Sequence, residues 1–418
     1  MNVLIISTAE NSGGGAIAAR RLLIALEEKG INVKMIVRDK QTNHPSVIAL
    51  KKGKWDMWRF VWERFVIWSN NLFSRKNLFK VSIANTGYDI TNTKEFQDAN
   101  IIHLHWVNQG MLSLDCLRKI ILSGKRIVWT MHDMWQCTAI CHHAYSCERF
   151  KSECQECPFL RFPSKSDLAH KVFKKKKDLF ENSGINIVTV SKWLEKQAKA
   201  STLLHNCPTQ VIPNTLSLSD FVILDKAECR KAFGIPQEKN VIIFGAVRID
   251  DPIKGFPMLI QAIQHLIDNG GYTAQQLHLI TFGIFKDEKP VLPIAHTDMG
   301  WIGSNAILSQ LYSAADVAVS ASHYETFGQT LIEALACGCI PVSFGNSGQT
   351  DIIEHKQNGY LADYLATDSL AHGIDWALTD GKNIDKEKLR EEVINKYSGN
   401  VVAEEYIKLY NKLLNTQL

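Results

Sequence analysis

Short apolar runs recur along the chain, and glycine or polar residues follow most of them directly. The first run, Val3 to Ile6, leads into the glycine-rich stretch Ser12 to Ala16. A segment with helical spacing, Ile17 to Lys29, and a second apolar run, Ile31 to Val37, come next. Short apolar runs bounded by turn residues are typical of buried strands. The pattern predicts a strand, a glycine-rich loop, a helix and a second strand, with the glycines open to close approach by a ligand.

The same pattern continues along the chain and breaks once, after Asn214. Parallel sheets with a ligand crevice at the carboxyl ends of their strands show this arrangement of buried runs and polar ends. We therefore expect an α/β fold with two parallel-sheet domains and a cleft between them, over residues 1–214 and 215–394. A last amphipathic helix within 395–418 is expected to pack back on the first domain. The further strands are predicted at Ala99–His105, Arg126–Met131, Ile185–Val190, Gln210–Ile212, Asn240–Phe244, Leu277–Phe282, Val317–Ser320, Ile340–Ser343 and Gly359–Leu361.

Composition narrows the class of protein. A length of 418 residues favours two domains, and 45% hydrophobic with 22% charged residues is ordinary for a folded soluble chain. The net charge of +4 argues against nucleic acid as the main partner. The first strand runs into a glycine turn without a basic leader, so we expect a cytoplasmic protein. Its ten cysteines are then expected to be thiols or metal ligands more often than disulfides.

The second half of the chain carries two charged pairs next to predicted strand ends. Glu325 lies on a loop after the strand Val317–Ser320, and Glu333 lies on the helix that follows. Arg248 and Lys254 flank a turn after the strand Asn240–Phe244, where two fixed cations suit a diphosphate. Taken alone, the glutamates also fit a solvated helix face, and the cations also fit an ordinary surface loop.

Taken together and in order, these motifs resemble the family 4 retaining glycosyltransferases, which have the GT-B architecture of two Rossmann-like domains. The resemblance covers nearly the whole chain and is most specific in the second domain. It is carried by Gly13-Gly14-Gly15, His132-Asp133, Pro213-Asn214, Arg248 with Lys254-Gly255, and Glu325 with Glu333. The stretch Met131 to Trp135, with the cysteines after it, resembles a bacterial subgroup of surface and capsular polysaccharide synthesis.

The resemblance implies a role for each motif residue. Arg248 and Lys254 would hold the donor diphosphate, Glu325 would contact sugar hydroxyls, and Glu333 would accept from the ribose. His132 would sit over the donor sugar or the acceptor. Donor contacts are further implied for Gly14, Gly15, Asn214 and the backbone N–H groups of Phe327, Gly328 and Gln329.

The implied reaction is retaining transfer of a hexosyl group from a nucleotide sugar to a glycan or polyprenyl-linked acceptor. A front-face route, with the departing phosphate helping to deprotonate the acceptor, fits the absence of an obvious nucleophile. No catalytic metal or other cofactor is expected, because Arg248 and Lys254 would stabilise the leaving group. The alternatives are a sugar phosphorylase or nucleotide-sugar epimerase on the same fold, and a non-catalytic, zinc-stapled glycan-binding subunit.

Two segments depart from this framework. Cys141, Cys147, Cys154 and Cys157 fall within an insertion at 137–160, and four soft ligands in a short loop suit tetrahedral zinc. Free or disulfide-paired thiols are the alternative. Residues 54–80 mix aromatic and basic side chains, which predicts a helix on the membrane surface or one packed on its own domain with snorkelling cations. A helix on the membrane surface would imply a peripheral location at the inner face of the cytoplasmic membrane.

Overall fold

The computed structural model describes residues 1–50, 56–181 and 183–416, which form two compact units. The first unit comprises Met1–Pro213 and Val402–Leu418, and the second comprises Asn214–Val401. Each unit is built on one parallel sheet, as the alternation of apolar runs and helical segments predicts. No helix within the described residues is long and apolar enough to cross a bilayer.

The first unit has a seven-stranded sheet in the order β3-β2-β1-β4-β5-β6-β7. The strands are β1 (Asn2–Ala9), β2 (Asn32–Asp39), β3 (Val47–Ala49), β4 (Ile101–Leu104), β5 (Arg126–Met131), β6 (Asn186–Thr189) and β7 (Thr209–Val211). The helices are α1 (Gly14–Glu28), α2 (Asp56–Asn70), α3 (Lys94–Asp98), α4 (Leu114–Leu122), α5 (Leu168–Phe180) and α6 (Lys192–Ala200). A 3-10 turn, Arg149–Lys151, lies in the cysteine-rich insertion.

The second unit has a six-stranded sheet in the order β10-β9-β8-β11-β12-β13. Its strands are β8 (Asn240–Arg248), β9 (Leu277–Ile284), β10 (Ala295–Asp298), β11 (Val317–Ser320), β12 (Ile340–Phe344) and β13 (Tyr360–Ala362). The helices are α7 (Lys226–Ala232), α8 (Phe256–Asn269), α9 (Asn305–Ala314), α10 (Gln329–Ala336), α11 (Thr367–Thr379), α12 (Lys386–Tyr397) and α13 (Gly399–Asn415). Short 3-10 turns lie at Pro252–Lys254, Ala274–Gln276, Ser347–Asp351 and Gly381–Asn383.

Helix α13 begins in the second unit, and its greater part contributes to the core of the first. Tyr406 and Tyr410 are buried among residues of β1, β2 and α1. Both hydroxyls make buried hydrogen bonds in the first unit, with Thr130 (2.9 Å) and with His103 (2.7 Å) respectively. The amphipathic pattern of the C-terminal segment thus corresponds to a helix with one face in an apolar core.

In each sheet the first strand is central: the next two strands of the chain lie on one side of it, and all later strands lie on the other side. Strand β1 pairs with β2 on one side and β4 on the other, and β8 pairs with β9 and β11. Ligands of open α/β sheets bind outside the carboxyl ends of the strands at this switch point. The switch point of the first unit is where the glycine-rich loop emerges. The switch point of the second unit is where Arg248 ends β8.

Two predictions from the sequence need correction here. The segment 54–80 is not one helix, because α2 ends at Asn70 and a chain of turns follows. Leu72, Phe73 and Asn77 have positive φ angles, which a continuing helix does not allow. Strand β8 extends beyond Phe244 to Arg248 through an irregularity in its pairing with β9. Lys54 lies outside the described residues.

Candidate active site

Lys254 and Glu325 meet directly at the switch point of the second unit. The Lys254 Nζ donates to Glu325 Oε1 at 2.6 Å, although the two residues are 71 positions apart. Ser322 Oγ donates to the same carboxylate oxygen at 2.8 Å. The two loops are also joined through their backbones, since His323 N donates to Ile253 O at 2.8 Å. The carboxylate is therefore fixed on the turn that carries the cation.

The turn after Lys254 depends on a glycine. Gly255 has a φ of 69°, and a Cβ there would lie 1.9 Å from the Ala321 carbonyl oxygen. Only a residue without a side chain allows this close approach between the Lys254 turn and the end of β11. The close approach to Ala321 therefore explains why glycine follows Lys254 in the sequence motif.

A second loop, Asn346–Gln349, supports Glu325 from the carboxyl end of β12. Glu325 N donates to Ser347 Oγ at 3.0 Å, and Gly348 N donates to Glu325 O at 2.9 Å. Asn346 Nδ2 donates to His323 O at 2.6 Å. This support loop was not predicted from the sequence. A signal for it exists, because the polar, glycine-containing stretch Gly345 to Gly348 begins two residues after the end of a predicted strand.

Arg248 belongs to a separate ionic group at the end of β8. Its guanidinium lies 2.8 Å from Asp250 Oδ1 and 3.3 Å from Asp287 Oδ2. Asp250 also accepts from the backbone N–H groups of Lys286 (3.0 Å) and Asp287 (2.8 Å). The hydrogen bond from Arg248 is the main reason that the pKa of Asp250 lies far below its usual range. Both candidate phosphate ligands, Arg248 and Lys254, therefore carry carboxylate partners.

Four of the remaining motif residues of the second unit lie just before or within α10, and the fifth, Asn214, begins the unit. Phe327 is buried and packs edge-on against Tyr397 at 5.7 Å between ring centroids. Gly328 precedes the helix with a φ of 112°, and Gln329 is its first residue. Glu333 is buried within α10. Asn214 is the first residue of the unit and is buried.

In the first unit, His132 lies beside the glycine-rich loop. A Cβ at Gly15 would lie 3.1 Å from His132 Cγ, so glycine lets helix α1 start against the imidazole ring. Gly14 is the first residue of α1, and Gly13 precedes it with a φ of 88°. His132 Nε2 lies 2.8 Å from Nδ1 of His105, which follows the neighbouring strand β4. The sequence analysis placed His105 at a strand end without giving it a role.

Asp133 links the His132 strand end to the cysteine-rich insertion. Its Oδ2 accepts from Trp106 Nε1 at 2.8 Å and lies 2.7 Å from His142 Nδ1, and its Oδ1 accepts from Trp135 N at 2.8 Å. Burial raises the pKa of this carboxyl, but the charge and hydrogen bond of His142 outweigh burial and lower it to about 2. Asp133 is therefore an ionised anchor for its loop.

The four cysteines of the insertion line one small cavity of about 20 Å³. All four are free thiols, so the disulfide alternative has no support here. Within residues 1–50, 56–181 and 183–416, however, no three His, Cys, Asp or Glu side chains are arranged to hold a metal ion. The geometry therefore gives the zinc prediction no support. The thiols are Cys141, Cys147, Cys154 and Cys157.

Comparison with solved structures identifies the class of fold. Sucrose-phosphate synthase from Thermosynechococcus elongatus superposes with a TM-score of 0.67 at 19% identity, over 99% of this chain and 98% of that one. HepE of Anabaena, solved in complex with UDP-glucose, gives 0.65 at 15% identity over 99% and 100%. The two parallel-sheet units are the Rossmann-like domains of the GT-B glycosyltransferase fold, as the sequence predicts.

Comparison of sequences finds one family model that matches the second unit. Residues 225–397 match the model for Glycosyl transferases group 1. An uncharacterized glycosyltransferase of Methanocaldococcus jannaschii is 24% identical over 80% of this chain and 90% of its own length. The putative colanic acid biosynthesis glycosyl transferase WcaC of Escherichia coli K12 is 25% identical over 75% of each chain.

Proposed function

We propose that this enzyme transfers a hexosyl group, with retention of anomeric configuration, from a nucleotide sugar to a lipid-linked glycan. The reaction would take place at the cytoplasmic face of a bacterial membrane and serve cell-surface polysaccharide synthesis. Two similar proteins support this direction: WcaC is a putative colanic acid biosynthesis glycosyl transferase, and HepE was solved with UDP-glucose.

The contact between Lys254 and Glu325 is the observation that carries the proposal. A hydrogen-bonded carboxylate beside a cation, at the switch point of a parallel sheet, offers acceptors for sugar hydroxyls and a charge for phosphate. Ser322 and the support loop hold Glu325 in place, so its position does not depend on the donor. The start of α10 at Gly328 and Gln329 would add backbone N–H groups to the sugar and phosphate contacts.

The two cations suit the leaving group. In the transfer, the bond from the anomeric carbon to the donor phosphate breaks, and its electron pair stays on the nucleoside diphosphate. The acceptor oxygen bonds to the same face of that carbon, and its proton passes to the departing phosphate oxygen. Arg248 and Lys254 would stabilise the charge that develops on the diphosphate, which we propose they do without a metal ion.

The other candidate residues have supporting roles in the proposal. Glu333 would accept from the ribose hydroxyls, and Asn214 and the N–H group of Phe327 would contact the donor. In the first unit, Gly14 and Gly15 would leave room for phosphate, and His132 would meet the donor sugar or the acceptor. These assignments rest on the resemblance of the motifs to the family pattern.

Helix α2 supports the proposed place at a membrane. One face holds it to the first unit, because Glu63 is buried and its carboxylate accepts from the N–H groups of Ile83 (2.8 Å) and Ala84 (2.9 Å). The opposite face, here called the aromatic face, is exposed and comprises Met57, Trp58, Val61, Trp62 and Phe65. Trp58 is 60% and Trp62 50% exposed. A contiguous exposed apolar patch of this kind marks an interaction site.

The exposed charges on the turns that follow α2 are positive. Arg75, Lys76 and Lys80 lie on the turns that follow α2, and Phe73 and Phe79 are exposed among them. Apolar rings that enter the headgroup boundary, with cations at their rim, suit an anionic lipid surface. Each cation near such a surface contributes about 1 kcal/mol. We therefore propose that the aromatic face and these cations bring the enzyme to its lipid-linked acceptor.

Transfer is tested with Lys254→Ala and Glu325→Ala, assayed with a panel of nucleoside diphosphate sugars and a lipid-linked acceptor. We expect each variant to lose about 100-fold or more in kcat, because each removes a charge or an acceptor at the reacting centre. Lys396→Ala is the matched control, since Lys396 makes an exposed ion pair with Glu354 in the same unit. Near-normal turnover of folded Lys254→Ala and Glu325→Ala proteins would reject the proposed site.

Membrane binding is tested separately by sedimentation with vesicles that contain phosphatidylglycerol. The double variant Trp58→Ser, Trp62→Ser should lose most of its binding, because two exposed indoles leave the bilayer boundary. Trp301→Ser is the control, since Trp301 is 66% exposed but lies in the second unit. Equal binding of all three proteins, or binding that does not fall with added salt, would contradict this part of the proposal.

A further inference from the structure

His105, which is buried, and His132, which is half-buried, form a pair of imidazoles at the carboxyl ends of adjacent strands. Strands β4 and β5 pair in parallel, so the residues that follow them lie side by side. The two rings lie edge to edge and nearly coplanar, with 5.1 Å between their centroids and 19° between their planes, and His105 Nδ1 lies 2.8 Å from His132 Nε2. A hydrogen bond at this distance requires one proton between the two nitrogens.

The surroundings of His105 decide which ring supplies that proton. His105 is 2% exposed, and its Nε2 has no hydrogen-bond partner among the described residues. An orphaned buried N–H group is rarer in proteins than an acceptor without a donor. The proton of neutral His105 therefore belongs on Nδ1, where it is used, and not on Nε2, where it would be buried without an acceptor.

This assignment fixes the state of the second ring. If His105 Nδ1 donates, His132 Nε2 accepts, and the proton of neutral His132 must reside on its Nδ1. Burial lowers the pKa of His132 to about 4 and that of His105 well below the ordinary value, so both rings are neutral near pH 7. On its other side the His132 ring packs against Gly15.

We propose that His105 is a positioning residue that holds His132 as its Nδ1–H tautomer. The kinetic part of this inference rests on the proposed function, whereas the tautomer itself does not. With Nε2 occupied by His105, His132 is not a base toward the acceptor hydroxyl. This agrees with a route in which the departing phosphate takes that proton.

A buried hydrogen-bond network fixes His103, whose ring lies next to that of His105. His103, on β4, has its ring 4.3 Å from that of His105 and makes hydrogen bonds with Thr130 (2.8 Å) and Tyr410 (2.7 Å). The His105 backbone is also fixed, since Trp129 Nε1 donates to its carbonyl at 2.9 Å. The pair therefore rests on rigid elements of the first unit, as a positioning role requires.

The tautomer is measured directly by nitrogen NMR of the protein labelled with ¹⁵N-histidine. The His132 signals are assigned by their loss in His132→Gln. We expect Nδ1 of His132 to be protonated and Nε2 unprotonated in the wild-type protein near pH 7. In His105→Leu the preference should be lost, because the donor is gone, whereas His105→Asn should keep it through its amide N–H. A wild-type His132 that carries its proton on Nε2 would overturn the inference.

The kinetic arm separates positioning from folding. His105→Leu should lower kcat by roughly 10- to 100-fold with little change in donor KM, and His105→Asn should recover most of the loss. His205→Leu is the control, because His205 is an exposed histidine of the same unit whose Nδ1 lies 2.7 Å from Thr202 O. Equal kcat in wild type and His105→Leu would refute the positioning role. Absence of transfer by the wild type would instead refute the proposed function, and the NMR result would still decide the tautomer.

Discussion

Gly348→Ala tests whether the support loop sets the position of Glu325. A Cβ at Gly348 would lie 2.4 Å from the Thr326 carbonyl oxygen and 2.9 Å from Phe327 Cα. Both are backbone atoms, so no side-chain rotation relieves the contact. The N–H group of the same glycine donates to the Glu325 carbonyl at 2.9 Å. The added methyl group must therefore move the strand-to-helix loop that carries Glu325.

The size of the movement follows from the contact distance. Ordinary contacts of a Cβ begin at 3.4 Å, so relief of the 2.4 Å contact requires a shift of about 1 Å. Overpacking of this kind costs about 1–3 kcal/mol of stability, which leaves the protein folded. A displacement of about 1 Å at a catalytic group costs on the order of 100-fold in rate. We therefore expect a large loss of kcat/KM in a protein with a moderately lowered melting temperature.

The assay compares kcat/KM for a nucleotide sugar with thermal unfolding in the same buffer. Gly345→Ala is the matched control, because it adds the same methyl group to the same strand end. Its Cβ would lie 3.3 Å from the Ala362 carbonyl oxygen, which calls for a shift of only a few tenths of an ångström. Full activity of Gly348→Ala, or equal losses in the two variants, would refute the reasoning.

Three further predictions concern the first unit. Lys176→Met should lower the free energy of unfolding in urea by about 1–3 kcal/mol, because it leaves the buried carbonyls of Trp135 and Thr138 without the donor that Lys176 Nζ supplies. Burial lowers the pKa of His103 to about 3 and that of His132 to about 4, so the unfolded chain binds more protons below the ordinary value. Stability should therefore fall as pH drops below about 6.5, by about 1.4 kcal/mol per pH unit for each histidine. Burial raises the pKa of Cys157 to about 12, so a thiol reagent should modify it slowly near pH 7 and rapidly after unfolding.

Each of these predictions has a contrary outcome. Lys175→Met is the control for Lys176→Met, since Lys175 is an exposed neighbour, and equal stabilities would contradict the account. A free energy of unfolding that is flat between pH 6.5 and 4 would contradict the burial of neutral histidines. Thiol modification of the native and unfolded proteins at the same rate would contradict the enclosed cavity.

The parts of the fold that the sequence predicts are those with buried strands. β1, β5 and β11 are continuous apolar runs because helices cover both faces of a parallel sheet, and the predicted runs match them. β3 and β10 were not predicted. They are edge strands of three and four residues; β10 reads Ala-His-Thr-Asp and carries no apolar run, and β3 reads Val-Ile-Ala, an apolar run of only three residues.

For the candidate site, too, the sequence predicts some features and misses others. Motif spacing indicates that Lys254 and Glu325 belong to one site, but only the fold brings their charged groups to 2.6 Å. The partners of Arg248 were not predicted, because Asp287 lies 39 positions away on another loop. The pairing of His105 with His132 was also not predicted, since it depends on the order of β4 and β5 in the sheet. Local periodicity carries none of these long-range contacts.

The most direct test of the central claim is the product formed from a nucleotide sugar and a lipid-linked acceptor. The account predicts a new glycosidic bond with the anomeric configuration of the donor, made in the presence of EDTA and lost in Glu325→Ala. An inverted product, cleavage that requires inorganic phosphate, or epimerisation of the donor without an acceptor would contradict it.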